Sequence, residues 1–155
     1  MAKSRGYMIA FTNVSVAAIQ DLFAIYAGAN MAFEVEFIRL AQHTLTTIGS
    51  ARIRNRRLPA TVTSGSGGNA FTPRPINSSD AAATITARIN DTVQATTTGT
   101  ADDWSDGWDI PFGHLWLPPE DGRLIVKPNQ AFIVSIDNIP ATMSVSGHVQ
   151  VREMF

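Results

Sequence analysis

The chain has 155 residues, 45% of them hydrophobic and only 16% charged, with a net charge of −1. That length suits one domain with its own core, and that charge gives no global pull towards nucleic acid or an anionic membrane. The absence of cysteine excludes disulfides, thiol catalysis and thiolate metal sites. Lysine occurs only at Lys3 and Lys127, so the positive charge is nearly all arginine, the residue favoured where charges pair in fixed geometry. A surface this poor in charge is either covered by partners or merely neutral.

Residues 1–16 read as an arm or first strand, with Tyr7, Ile9 and Phe11 alternating with polar neighbours. Thr12, Asn13 and Ser15 break the apolar stretch, so no signal peptide is expected, and no apolar run approaches the ~20 residues that span a bilayer. Without a secretory signal the sequons at Asn13, Asn77 and Asn90 are expected to be chance matches. Val16, Ile19, Leu22, Phe23 and Tyr26 fit a helical stripe, yet Leu22–Tyr26 equally fits a strand buried on both faces. The expectation is a short helical turn near Val16–Ile19, then a strand.

Phe33, Val35 and Phe37 alternate with Glu34 and Glu36, after which the apolar series changes frame to Ile38 and Leu40, predicting a bulge or a strand crossing between sheets. Further strands are expected over 52–58, 83–90, 91–98, 123–127 and 131–137, the last pair joined by a tight turn at Pro128-Asn129-Gln130. From Met143 onward, Met143, Val145, Gly147, Val149 and Val151 form one face and Ser144, Ser146, His148, Gln150 and Arg152 the other. Many short strands with frequent turns predict an all-β, antiparallel, jelly-roll-like β-sandwich, a single domain over residues 1–155. Two long loops are expected, at 64–75 and 99–119, and loops of that length are usually functional or ordered by a partner.

Two groups of residues are candidate protein-interface sites. Arg52, Arg54 and Arg56 alternate and so share one strand face, as a solvated face, an inter-subunit ion-pair row or a phosphate clamp. The nucleic-acid reading lacks supporting basic or stacking residues. Trp104, Trp108 and Trp116 lie among Asp102, Asp103, Asp106 and Asp109. Such a loop can present anchors to a partner, stack on a sugar, or simply pack on the sandwich. Calcium is a weaker reading, because the alternating carboxylates and distal Glu of an EF-hand loop are missing. His43, His114 and His148 have no metal-ligand spacing, and no nucleophile or phosphate-binding motif is present. No catalytic residue, cofactor or metal is therefore expected.

Four stretches carry a family resemblance: AAIQDLFAIYAG, GGNAFTPRPINSSDAAATITARINDT, the aromatic loop through LWLPPEDGRLIVKPNQAFIVSID, and SVSGHVQVREMF. Together they cover most of the chain from residue 17 onward, and the chain there resembles jelly-roll head decoration, or cement, proteins of tailed phages. The more specific parts are the glycine-rich T-P-R-P loop and the W-x-P-P segment; the acidic ADDWSDGWD insert departs from the pattern. The resemblance implies a virion structural protein on the outer surface of a phage head, made in the host cytoplasm. Its partners would be the major capsid protein and itself, as a homotrimer. The rival reading is a carbohydrate- or receptor-binding module of a phage tail fibre.

Overall fold

A computed structural model describes residues 4–43, 48–98 and 102–154. The strands are β1 (Arg5–Val16), β2 (Gln20–Tyr26), β3 (Ala32–Gln42), β4 (Ser50–Leu58), β5 (Asn69–Phe71), β6 (Arg74–Pro75), β7 (Thr86–Asp91), β8 (Trp104–Asp109), β9 (His114–Trp116), β10 (Leu124–Val126), β11 (Ala131–Asp137) and β12 (Met143–Met154). They form two six-stranded sheets. The first has the order β10-β3-β12-β1-β6, with β9 also on β3; the second runs β5-β7-β2-β11-β4-β8.

This order is a rolled ribbon. Antiparallel pairs join β1 to β12, β2 to β11, β3 to both β9 and β10, and β4 to β8. The chain runs out along β1–β4 and back along β8–β12, alternating between sheets, which is the jelly-roll connectivity. Residues 59–98 form the far end of the ribbon. They extend both sheets, β7 pairing with β2 and β6 with β1.

The core lies between the sheets, as the alternation predicts. Tyr7, Ile9, Val35, Ile38, Ile53, Phe132, Val134, Val149 and Val151 are all fully buried. Gly147 sits in the inward series of β12 because a Cβ there would lie 2.6 Å from Leu40 and 3.2 Å from Phe11. The frame change in β3 is a bulge: Gln150 faces Phe37 while Val151 faces Val35, leaving Glu36 as the extra residue. Phe37 consequently points outward rather than into the core.

A second, smaller core lies outside the second sheet. Ala24, Leu58, Ala95, Ala131 and Ile133 are buried there, with Tyr26 and Val62 packed against them. Residues 59–66 and 92–98 supply the cover, tied together by the single bridges Thr63↔Thr96 and Ser66↔Val93. This is why β2 and β11 read as continuous apolar runs: both faces of each are buried.

Several expectations are corrected. Residues 17–19 form no helical turn but link two strands, and the stripe of Val16, Leu22 and Phe23 arises from strand ends and a bulge between β2 and β11. The strand expected over 91–98 ends at Asp91, because 92–98 leaves the sheet to cover the second core. The two long loops contain strands, β5 and β6 in one and β8 and β9 in the other; residues 99–101 lie outside the described residues. The turn at 128–130 forms as expected, Gln130 N–H donating to the Lys127 carbonyl at 3.1 Å with Asn129 at φ 62°, but it joins strands of different sheets.

Candidate protein-interaction surfaces

Strand β4 places its arginines as the alternation requires. Ala51, Ile53 and Asn55 point inward, and Arg52, Arg54 and Arg56 point outward. Each meets a carboxylate of its own chain. Arg52 holds Asp137 bidentately at 2.7 and 2.6 Å. Arg54 holds Asp102 at 2.8 and 3.0 Å and reaches Asp137 at 3.5 Å. Arg56 donates to Asp21 at 3.2 Å and to Ser135 at 3.0 Å. The side chains grow steadily less exposed along the row, at 45%, 23% and 11%. At the sandwich end, Arg57 binds Asp103 at 2.7 Å and donates to the Ile125 carbonyl of the first sheet at 3.2 Å. Arg54 and Arg57 thus zip β4 to the acidic loop, while Arg52 and Arg56 pair with Asp137 of β11 and Asp21 of β2. Hydrogen bonds from Arg54 hold the Asp102 carboxyl below its ordinary range, and the bonds to Asp137 raise Arg52.

The tryptophans belong to the seam where the edge of the second sheet meets the first. Cross-strand register puts Trp104, Asp106 and Trp108 on one side of β8, with Trp104 against His114 and Trp116 of β9, Trp108 buried and Asp106 exposed. Trp108 is 2% exposed and donates its indole N–H to the Phe112 carbonyl at 2.6 Å. Trp104 and Trp116 are partly buried, their rings 6.1 Å apart, and Trp104 lies 5.8 Å from His114. Burial pushes the His114 imidazole below its ordinary pKa, with Asp106 pulling the other way. Trp108 therefore packs the seam of the fold. Asp106 and Asp109 remain exposed.

Sequence reasoning missed the outer face of the first sheet, where β12 keeps its buried/half-buried alternation over its whole length and no described segment packs over it. The signal was the polar series Ser144–Arg152, which marks an uncovered face. At one end, Glu36 is 4% exposed and bound by Arg152 and Gln150, with Arg123 bridging to Glu34 at 3.1 Å. Among the described residues there is no group of three or more His, Asp or Glu positioned to hold a metal ion. Four hollows on the surface of the described residues measure about 270 to 460 Å³. No helix among the described residues is long and apolar enough to cross a membrane.

The strand order and the two packed sheets define the chain as an antiparallel jelly-roll β-sandwich. No protein-family model matches the sequence, and no curated protein matches it. A chain of the solved structure described as "Structure of infectious bursal disease virus Gx strain" aligns over 97% of this chain, at 14% identity and a TM-score of 0.26. The alignment covers 42% of that chain, so this one spans less than half its length.

Proposed function

We propose that this protein is a non-catalytic virion component that decorates an assembled phage head and stabilises it by binding the major capsid protein. The observation that carries the reading is the asymmetry of the sandwich. One outer face is covered by the chain's own residues 59–66 and 92–98, and the other carries no cover among the described residues. A domain built this way has one self-sealed side and one side available for docking. The resemblance of most of the chain from residue 17 onward to head decoration proteins supports the same role. The resemblance also implies a homotrimer, which light scattering at micromolar concentration tests; a clean monomer rejects the free trimer.

The decisive experiment is co-sedimentation of purified protein with expanded shells stripped of it, against unassembled shell subunits. Binding to shells alone is expected, because a decoration site is composite and exists only after subunits meet. Occupancy of a site at 100 times the dissociation constant stabilises the assembled state by about 2.7 kcal/mol. Equal binding to free subunits contradicts the composite site. The tail-fibre alternative is tested on a glycan array. Of the acidic-aromatic loop it relies on, Asp102 and Asp103 are bound by arginine and Trp108 is buried, leaving Trp104 and Trp116 half-buried.

A further inference from the structure

The bare face of the first sheet has a definite chemistry. Cross-strand register sets Leu115, Arg39, His148 and Ala10 side by side in one row across β9, β3, β12 and β1. The next row holds Phe37, Gln150, Met8 and Arg74 across β3, β12, β1 and β6. Leu115 is 59% exposed, and Phe37, Met8 and Ala10 are half-buried. Hollows of about 270 and 330 Å³ flank β1 on this face, one beside Arg39 and His148, the other beside Arg74.

The arginines of this face differ from those of β4 in how they are paired. The arginines of β4, with Arg88, Arg123 and Arg152, each lie within ion-pair distance of a carboxylate. Arg39 and Arg74 have no carboxylate partner among the described residues, and both stand exposed here. Glu34 and Glu36, at one end of the face, are already held by Arg123 and Arg152. The face therefore offers two unanswered guanidiniums over a bed of apolar and small side chains.

We propose that this face docks on a carboxylate-bearing protein surface, with Arg39 and Arg74 as its charged anchors. This names the docking surface for the function proposed above and rests on that reading only for the partner's identity. A guanidinium matches a carboxylate in a planar two-bond fork. Nucleic acid fits less well: a duplex is bound through many phosphates, for which two guanidiniums in a chain of net charge −1 are few, and a single strand also takes open aromatic faces for stacking. The aromatic in these rows, Phe37, packs edge-on with His148 at 5.4 Å and 89°. Strand spacing and rise make the two rows and their flanks roughly 20 Å square, on the order of 400 Å². A standard interface takes about 800 Å² from each partner. A patch of this size falls short of what a stable dimer of this chain through this face alone would need.

The test needs no shell. Full-length protein is passed over immobilised poly-L-glutamate and, separately, over single-stranded DNA of matched charge, at low salt. The double variant Arg39→Ala/Arg74→Ala is compared with Lys127→Ala, which removes an exposed cation from the turn after β10. Both keep the wild-type thermal midpoint, since neither removes an internal pair. Poly-glutamate binding falls about tenfold in the double variant and stays within about twofold in Lys127→Ala. Equal losses in the two variants, or none in the double variant, overturn the proposal. Tighter binding to DNA through the same two arginines makes the occupant nucleic acid and overturns it. Self-association abolished by the double variant makes the occupant a second copy and also overturns it. Loss of shell binding with this pattern intact would instead sink the decoration role alone.

Discussion

The carboxylate of Asp21 on β2 accepts the main-chain N–H of Ala95 at 2.7 Å, across 74 residues of sequence. The same carboxylate accepts Ser135 at 2.6 Å, Gln94 at 3.0 Å and Arg56 at 3.2 Å, with no side-chain exposure. One buried acid thus fastens the covering segment 92–98 to the strand beneath it, while bringing β2, β4 and β11 to one point. Burial pushes its carboxyl pKa up, against the pull of these partners.

Asp21→Ala should cost about 3–5 kcal/mol, because it strands Arg56 at 11% exposure and leaves the Ala95 N–H unanswered. Asp21→Asn should cost less, since it keeps an acceptor. Urea unfolding gives the magnitudes, and limited proteolysis should cut the Ala variant first within 92–98. A loss below about 1 kcal/mol for Asp21→Ala would show that the cover is held by packing alone.

Trp108→Ala should cost about 3–5 kcal/mol of folding stability by leaving a cavity at the seam. Trp104→Ala and Trp116→Ala should cost less, because their rings are only partly buried. Denaturant titration of the three variants checks the order. A Trp108→Ala protein as stable as wild type but defective in partner binding would restore Trp108 as an interface anchor.

Acid should weaken the zipper between β4 and the acidic loop. The folded pKa of Asp102 is depressed below the ordinary value of 3.8, so its contribution is complete above that pH and is lost as the pH falls through the folded value. Asp102→Asn should therefore be less stable at neutral pH and show a shallower loss of stability below pH 3.8. Parallel slopes for variant and wild type would contradict the pairing.

The seam histidine acts at higher pH. Burial disfavours the charged form of His114 and puts its folded pKa below the ordinary 6.5, so its contribution is present above 6.5 and is lost as the pH falls. Asp106, facing it from β8, limits the effect. His148, lowered by burial and by Arg39, adds to the same slope from the other sheet face. Melting temperatures should fall between pH 7 and pH 5. His114→Leu should flatten part of that fall and His148→Gln a further part. An unchanged slope in His114→Leu would place the titration elsewhere.

Much of the fold was written in periodicity. The inward series from Met143 to Val151, the outward placement of Arg52, Arg54 and Arg56, and the bulge between Val35 and Ile38 all follow from the two-residue repeat of a strand, which local sequence carries in full. The double burial of Leu22–Tyr26 was legible as an alternative for the same reason, since an unbroken apolar run leaves no face for water.

Tertiary structure alone decided what those faces meet. An outward arginine looks the same in sequence whether its carboxylate stands on a partner or on residue 102 or 137 of its own chain. Only the rolled ribbon, which lays β8 and β11 on either side of β4, answers Arg52 and Arg54 internally. The same holds for Trp108, whose burial depends on two sheet edges meeting at a seam. It holds too for Arg39 and Arg74, which lie 35 positions apart in sequence and reach one face because β12 and β1 lie between their strands. Periodicity is a property of neighbours along the chain, whereas charge pairing and cover are properties of neighbours in space, and long-range strand pairing separates the two.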